Sequence, residues 1–464
     1  MALMRVRLPI ALSAVVGMLL VACGGGGAKV APTTTTAAPS ATTGASTGSS
    51  SAPVPLTASF RGVTATTIKI GIIDVDFKCI AQFLDTNQGD QPAIDQVFID
   101  DLNAHGGILG RKIVPVYRSY CPIGNAGALT ACTAFTEDDA VFAVLGLLYD
   151  DTGDADLCLT RDHQTIYEGF ELNQSWVAQS PPGLMVSTDI TAERRSIVLL
   201  NLLQSQGKLA GKKVATFTDS NAVKTINNVV KPALDRMSIP QGSPAVVTIV
   251  GSDTTAAQAQ LDAFIEKWKS EGVNAIWLAG QYVANKQFVE KIKRGMPNVQ
   301  LFVDGVDSAG TSAQDETAAG VKPNPFDGMI TANGWTDDEF WASPAVQQCV
   351  KLYEAKTGQQ VIAPADIKPG PDGKRVLIWV SIRDFCGDLS LFKQVATKAG
   401  PDLTNATWVN AVNSFGEINV GIPYASLHTG KYDANDSFRL VVFDSTYGKR
   451  GDFRPLTPIQ DASK

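Results

Sequence analysis

Histidine is scarce in this chain, with three in 464 residues. His105, His163 and His428 lie far apart in the sequence. No G-x-S-x-G elbow, H-E-x-x-H pair or phosphate-binding glycine loop is present. These absences argue against an enzyme. Acidic pairs are plentiful, but in loops rich in Asp and Glu they are weak evidence for glycosidase chemistry. No Lys/Arg-rich run follows the first residues, and the net charge is -7, so nucleic acid is a poor partner. No two cysteines have C-x-x-C spacing, so neither a zinc site nor any other metal site is expected, and no cofactor motif stands in for one. Beyond the N-terminal run no long apolar segment exists, so nothing else in the chain is expected to cross a bilayer.

The N-terminus is distinctive. Arg5 and Arg7 precede an uncharged apolar run from Leu8 to Leu20, followed by Val21, Ala22 and Cys23. A positive start, a short apolar run and a small residue before the cut describe a signal peptide, residues 1–22. The Leu20-Val21-Ala22-Cys23 sequence resembles the lipobox of bacterial lipoproteins, which implies a diacylglyceryl group on Cys23. Each buried methylene contributes roughly 0.8 kcal/mol, and two or more chains anchor stably. Residues 23–56 are almost all Thr, Ser, Ala, Gly and Pro, with Lys29 as their only charge. Such a stretch buries too little apolar surface to offset its ordering entropy, and reads as a disordered tether. The expected location is extracytoplasmic, on the outer face of the cell membrane.

Roughly 400 residues remain, more than one core usually supports, so two lobes are expected. Six cysteines remain beside Cys23: Cys79, Cys121, Cys132, Cys158, Cys349 and Cys386. An even number in an exported chain points to disulfides. Fifteen pairings are conceivable and the sequence selects none. The preferred set is Cys79–Cys121, Cys132–Cys158 and Cys349–Cys386, because the second pair flanks one helix–strand–helix segment and the third lies on consecutive helices.

From Thr66 onward strands and helices alternate. Ile68–Ile73 is a β-branched run ending at Asp74. Residues 93–105 have helical spacing and stop at Gly106-Gly107. Strands follow at 112–117, 140–145 and 164–167, with helices at 126–138 and 154–162 between them. The pattern restarts after Asp189, with strands at 213–217, 245–250, 275–278 and 301–303. The helices of this second unit are expected at 191–206, 221–237 (interrupted near Pro232), 254–271 and 283–293. A strand at 328–332, helices at 345–356, 374–399 and 405–414, and a strand at 438–444 complete the chain. Such alternation predicts an α/β protein with parallel central sheets covered by helices on both faces.

The stretch Asp100 to Ile113, with Asn103, Gly106-Gly107-Ile108 and Gly110-Arg111-Lys112-Ile113, carries a resemblance. So do Phe135–Gly146 and Leu261–Gly280. The chain resembles the type 1 periplasmic binding proteins, in the leucine/isoleucine/valine-binding branch that serves ABC importers. The resemblance implies two Rossmann-like lobes joined by a three-crossing hinge. Lobe 1 would comprise 66–188 plus 330–424, and lobe 2 would comprise 189–329 plus 436–460. Crossings are expected near 187–189, 327–331 and 423–436. A small molecule would bind between the lobes, where carboxyl ends of parallel strands line a crevice. An ABC permease would be the protein partner, and the binding protein itself a monomer. The Gly-Gly motif is structural: the glycines end a helix, Ile108 and Leu109 cover the sheet edge, and Gly110 permits a tight turn.

Ligand contacts are expected on loops that follow strands. In the first lobe these give Tyr149, Asp150, Thr152, Glu168 and Phe170, and in the second Asp219, Gln281, Tyr282 and Asp304. Where the family binds amino-acid carboxylates with Ser/Thr-rich loops, this chain has Asp150, Asp151 and Glu168 and no evident cation. A cationic or hydroxyl-rich ligand is therefore favoured over a branched-chain amino acid, with Tyr149, Phe170 or Tyr282 as stacking faces. Equally, Asp150 or Asp151 could cap the next helix. Trp176 is either a lip over the cleft or a core residue. The expected function is capture of a small polar molecule, amino acid-like, amide or cationic, for an ABC importer. A sensing module with a separate signalling partner is the alternative, and a cell-surface hydrolase a lesser one.

Overall fold

The computed structural model describes residues 55–81, 86–148, 152–170, 172–219, 222–247, 254–280, 283–305 and 307–463. The expectations for Cys23, the tether, Tyr149, Asp150, Asp151, Gln281 and Tyr282 lie outside the described residues.

The first sheet has five parallel strands. Their order is Lys112–Tyr120, Thr67–Val75, Ala143–Gly146, Ile166–Gly169 and Met185–Ser187. Ile68, Ile70, Ile72 and Ile73 are all buried, so both faces of the first strand are covered. A strand buried on both faces reads as a β-branched run and not as an alternation, which is why this one stands out in the sequence. Helices Gln91–Ala104, Pro344–Thr357, Ile378–Ala399 and Asn405–Asn413 contribute to the same apolar core. Trp408 is buried against Phe142 and Phe392, and its Nε1 donates to Gly183 O at 3.0 Å.

The second sheet places Asp452–Pro455, Ser437–Asp444, Ile330–Asn333, Gln300–Val303, Ala275–Ala279, Val214–Asp219 and Ala245–Val247 side by side. The last five run parallel, and Ser437–Asp444 is antiparallel to both its neighbours. Ile330–Asn333 therefore belongs to the second sheet, between Phe302 and Val442 in register. This moves the second crossing past Asn333, later than the expected 327–331, and returns 330–333 from lobe 1 to lobe 2. Helix Asp307–Ala318 was not expected at all. The helix expected over 221–237 is interrupted near Pro232, as a π-helical stretch Ile226–Val230 between Val223–Thr225 and Lys231–Arg236; proline has no N–H to give the regular bond at this point.

The first and third crossings are hydrogen-bonded to each other. Ser187 N donates to Tyr432 O at 3.0 Å, and Ala434 N donates to Ser187 O at 2.8 Å. Beside them lies a buried ion cluster. Arg194 reaches Asp433 at 3.0 Å and also pairs with Asp436, while Lys431 lies 3.2 Å from Asp436.

The Gly-Gly motif works largely as expected. Gly107 has φ +68, and a Cβ there would sit 2.0 Å from Arg111 O, so only glycine fits. Gly110 has φ +88. Ile108 is buried, but Leu109 is exposed with φ 51, so it does not cover the sheet edge. The three disulfides are Cys79–Cys121, Cys132–Cys158 and Cys349–Cys386, the pairing preferred above, and all tie elements of the first lobe.

Candidate functional site

The chain leaves the first sheet at Ser187 and enters helix Ala192–Ser205, whose first turns meet the carboxyl end of the second sheet. Ser196 Oγ donates to Asp304 Oδ2 at 3.1 Å, and Trp277 Nε1 donates to the same oxygen at 3.4 Å. Asp304 follows strand Gln300–Val303, so the carboxyl ends of both sheets border the crossings. That is where open α/β sheets bind ligands. Burial pushes the Asp304 carboxyl up to about 6, against the pull of Ser196, Trp277 and Arg195. Asp219, the last residue of its strand, is buried and lies directly against Gly280. A Cβ at Gly280 would sit 2.4 Å from Asp219 Oδ2, and Gly280 has φ +105. Arg195 pairs with Asp189 of the first crossing.

The first lobe presents a second group of acids. Glu168 lies in strand Ile166–Gly169, between Leu145 and Val186 in register. Its neighbour Tyr167 points to the other face, where Tyr167 Oη accepts from Leu148 N at 3.1 Å and donates to Gly146 O at 3.3 Å. Glu168 is 1% exposed, and neither carboxylate oxygen has a hydrogen-bond partner among the described residues. Burial raises its pKa well above the ordinary value, and Asp388 of helix Ile378–Ala399 raises it further. Asp388 is pushed up to about 7, chiefly by burial and then by Asp384, while Thr188 and Arg383 oppose the rise. Thr188 Oγ1 donates to Asp388 Oδ1 at 3.0 Å, which ties this acid to the first crossing. Asp74, at the end of the first strand, is raised to about 7 by burial and then by Asp90. Asp95 is raised by burial, then by Asp74, Asp388 and Asp384.

On another side the lobes meet through Arg375 Nη2 and Asp315 Oδ1, 2.7 Å apart. Arg375 lies on a short strand beside Thr86 in the first lobe, and Asp315 on the helix after strand Gln300–Val303. Two surface depressions of about 290 and 420 Å³ lie on second-lobe helices and touch none of these acids. They are grooves between neighbouring helices, and the chemistry lies elsewhere.

Of the expected contacts, Glu168, Asp219 and Asp304 stand at carboxyl ends of strands beside the crossings. Phe170 is half-buried just beyond Glu168. Thr152 is exposed and bonds to Asp154, its Oγ1 donating to Asp154 Oδ2 at 2.8 Å and accepting from Asp154 N at 3.3 Å. It therefore serves the start of helix Asp154–Leu157. Trp176 packs on Gly153, where a Cβ would sit 2.5 Å from the indole. Asp74, Asp95, Asp388, Asp189 and Arg195 were missed. Asp74 is marked in the sequence only as the acid ending a β-branched run, and Asp189 only as part of the first crossing. Cations are also present: Arg195 is paired with Asp189, and Arg383 with Asp384 at 2.7 Å.

Residues 92–368 match the sequence model of a family described as periplasmic binding proteins. No curated protein sequence matches the chain. Among solved structures, a fatty acid ABC transporter substrate-binding protein from Thermomonospora curvata is 16% identical, with a TM-score of 0.58, covering 87% of this chain and 95% of that one. An ABC transporter solute binding protein from Rhodopseudomonas palustris BisB5, in complex with 3,4-dihydroxy benzoic acid, is 16% identical with a TM-score of 0.57, covering 86% and 98%. A leucine binding protein from Thermotoga maritima is 13% identical with a TM-score of 0.57, covering 85% and 99%. At such identities the likeness concerns the fold.

Proposed function

The chain belongs to the periplasmic binding protein family, and we propose that it captures a small polar solute between its lobes and hands it to an ABC importer. A substrate-binding component of this kind is not an enzyme and works outside the cytoplasm. The observation that carries the reading is the convergence of polar groups at the crossings. Asp304, Ser196 and Arg195 come from the second lobe, and Arg195 pairs with Asp189 of the first crossing, next in sequence to Thr188, which holds Asp388 of the first lobe. A solute held there touches both lobes, so its binding favours closure about the crossings.

Fatty acid, 3,4-dihydroxy benzoic acid and leucine, named for the similar structures, each carry a carboxyl group. In this chain the described cleft arginines are already paired with Asp189 and Asp384. A ligand whose main feature is a carboxylate is therefore not favoured.

A solute screen by thermal shift on the full-length protein tests the reading. A true ligand raises Tm by mass action, and Asp304→Ala removes the shift. Binding unaffected by Asp304→Ala and Asp219→Ala would place the site elsewhere. The protein is held, in this reading, as a monomer on the outer face of the membrane through lipid on Cys23. Cys23→Ala then releases or misprocesses the chain and leaves solute binding intact. Membrane retention of that variant would count against the anchor.

A further inference from the structure

Glu168 is the most exposed of these acids to energetic penalty. Leaving a buried carboxylate without a partner costs several kcal/mol unless the group is protonated or a cation arrives. Both of its oxygens lack a partner among the described residues, as does Asp74 Oδ2. Asp388 lies near enough to oppose the ionisation of Glu168 and Asp95, and Asp384 near enough to oppose that of Asp388 and Asp95. The described cation among them is Arg383, which pairs with Asp384 and lies over Trp379 and Phe340, 5.1 Å from each ring centre. Thr188 places this acidic group at the hinge end of the cleft and not in a remote part of the core.

A metal ion is the first alternative occupant. Ca²⁺ and Mg²⁺ need six or more oxygens converging within about 2.0–2.6 Å of the ion. Among the described residues no set of three carboxylates brings its oxygens close together. The one group of three candidate ligands is Cys132, Cys158 and His163, and its two sulfurs are joined in a disulfide. The acids are spread over the first strand, the Glu168 strand and two helices. An ammonium or guanidinium group suits that arrangement, because its N–H donors point in several directions and need no closed coordination sphere.

We propose, resting on the cleft-binding reading above, that the solute is a small organic cation whose charged nitrogen group is received by Glu168 with Asp388 at the hinge end of the first lobe. Glu168 is the direct acceptor. Asp388 is held by Thr188, so contact made by the solute at this point is felt at the first crossing. Asp74 and Asp95 add negative potential behind them. A carboxylate placed in the same position would meet like charge.

The test uses calorimetry and thermal shift on the full-length protein. Probes are 1,4-diaminobutane, agmatine and choline, set against leucine, 3,4-dihydroxybenzoate, hexadecanoate and calcium chloride. The expected result is binding of an amine or guanidine probe, weakened tenfold or more by Glu168→Gln and by Asp388→Asn, and unchanged by Thr152→Ala. Circular dichroism verifies folding; Asp388→Asn, at a half-buried position, keeps the test alive if Glu168→Gln misfolds. If a neutral or anionic probe binds instead, and Asp304→Asn weakens it while Glu168→Gln does not, the cation assignment falls and the cleft reading stands. If no cleft variant alters the binding of any bound probe, both fall. Saturable protection by calcium alone, lost in Glu168→Gln, or no binding of any cationic probe at millimolar concentration, overturns the organic cation.

Discussion

Arg194→Ala should loosen the joint between the lobes by an amount the structure allows to be worked out. The guanidinium donates to Asp433 Oδ1 at 3.0 Å, to Asn435 O at 3.0 Å and to Ala462 O at 3.2 Å, and it also pairs with Asp436. Asp433 and Asp436 are 4% and 1% exposed. Removing one partner of a buried ion pair costs about 3–5 kcal/mol. Here the acids keep other partners. Asp433 still accepts from Thr191 N at 2.9 Å and Thr191 Oγ1 at 3.0 Å. Asp436 still accepts from Ser426 Oγ at 2.6 Å and lies 3.2 Å from Lys431. Two carbonyls lose a donor, but the Arg194 side chain is 20% exposed, so water can reach part of the gap. A loss of about 2–3 kcal/mol follows. With an unfolding entropy of about 2.1 cal/mol/K per residue, both lobes melting together would lower Tm by about 2–4 °C, and the second lobe melting alone by about 5–8 °C. Differential scanning calorimetry reads both the shift and the number of transitions. Arg236→Ala, at an exposed helix position, is the control and should stay within about 0.5 kcal/mol. Arg194→Lys should recover less than half, since an ammonium cannot span four separated acceptors. Equality of Arg194→Lys with the unmodified protein, or a loss under about 0.5 kcal/mol in Arg194→Ala, would refute the reasoning.

Three further expectations can be checked together. Gly280→Ala forces a Cβ to 2.4 Å from Asp219 at φ +105, so it should cost about 2–4 kcal/mol, read as a lowered urea midpoint; an unchanged midpoint would show that Asp219 swings away freely. Replacing Cys132 and Cys158 together by Ala opens a loop of 26 residues, which should cost about 3.5 kcal/mol on the loop-entropy account, read by calorimetry of the first lobe. Stability should fall as pH rises from about 4.5 to 7. Asp74 and Asp388 are raised to about 7, and Asp304 and Asp452 to about 6. In that window the folded chain keeps protons that the unfolded chain has released, so each such group subtracts up to about 1.4 kcal/mol per pH unit until its folded pKa is passed. Urea midpoints that climb steadily over this range would contradict the burial of these acids.

The sequence announced its strands better than their partners. Ala275–Ala279 and Ala143–Leu145 are buried on both faces, and such strands are continuous apolar runs. Ile330–Asn333 also reads as a strand. Which sheet it joins is decided by Phe302 and Val442, which lie far from it in sequence or follow it by more than a hundred residues. Helix Asp307–Ala318 packs through the small residues Ala309 and Ala313, four apart, and has no large apolar residue to mark a period. A helix that docks by alanine leaves little hydrophobic signature.

The part of the proposed site not expected from the loops is nevertheless marked in helix Ile378–Ala399. Ser381, Phe385, Phe392 and Val395 are buried and recur at helical spacing. Asp388 falls on that same stripe, three residues after Phe385 and four before Phe392. An acid on a core-facing helix stripe made mostly of large apolar residues is an error of patterning unless something compensates it. Glu168, Asp219 and Asp304 are legible as candidates because they stand at the carboxyl ends of strands, where α/β folds place ligand contacts. Asp388 lies inside a helix, where the periodic pattern hides a single polar break. The physical reason to look is the same in both places: a carboxylate set where water is excluded must be protonated, paired, or waiting for a partner from outside the chain.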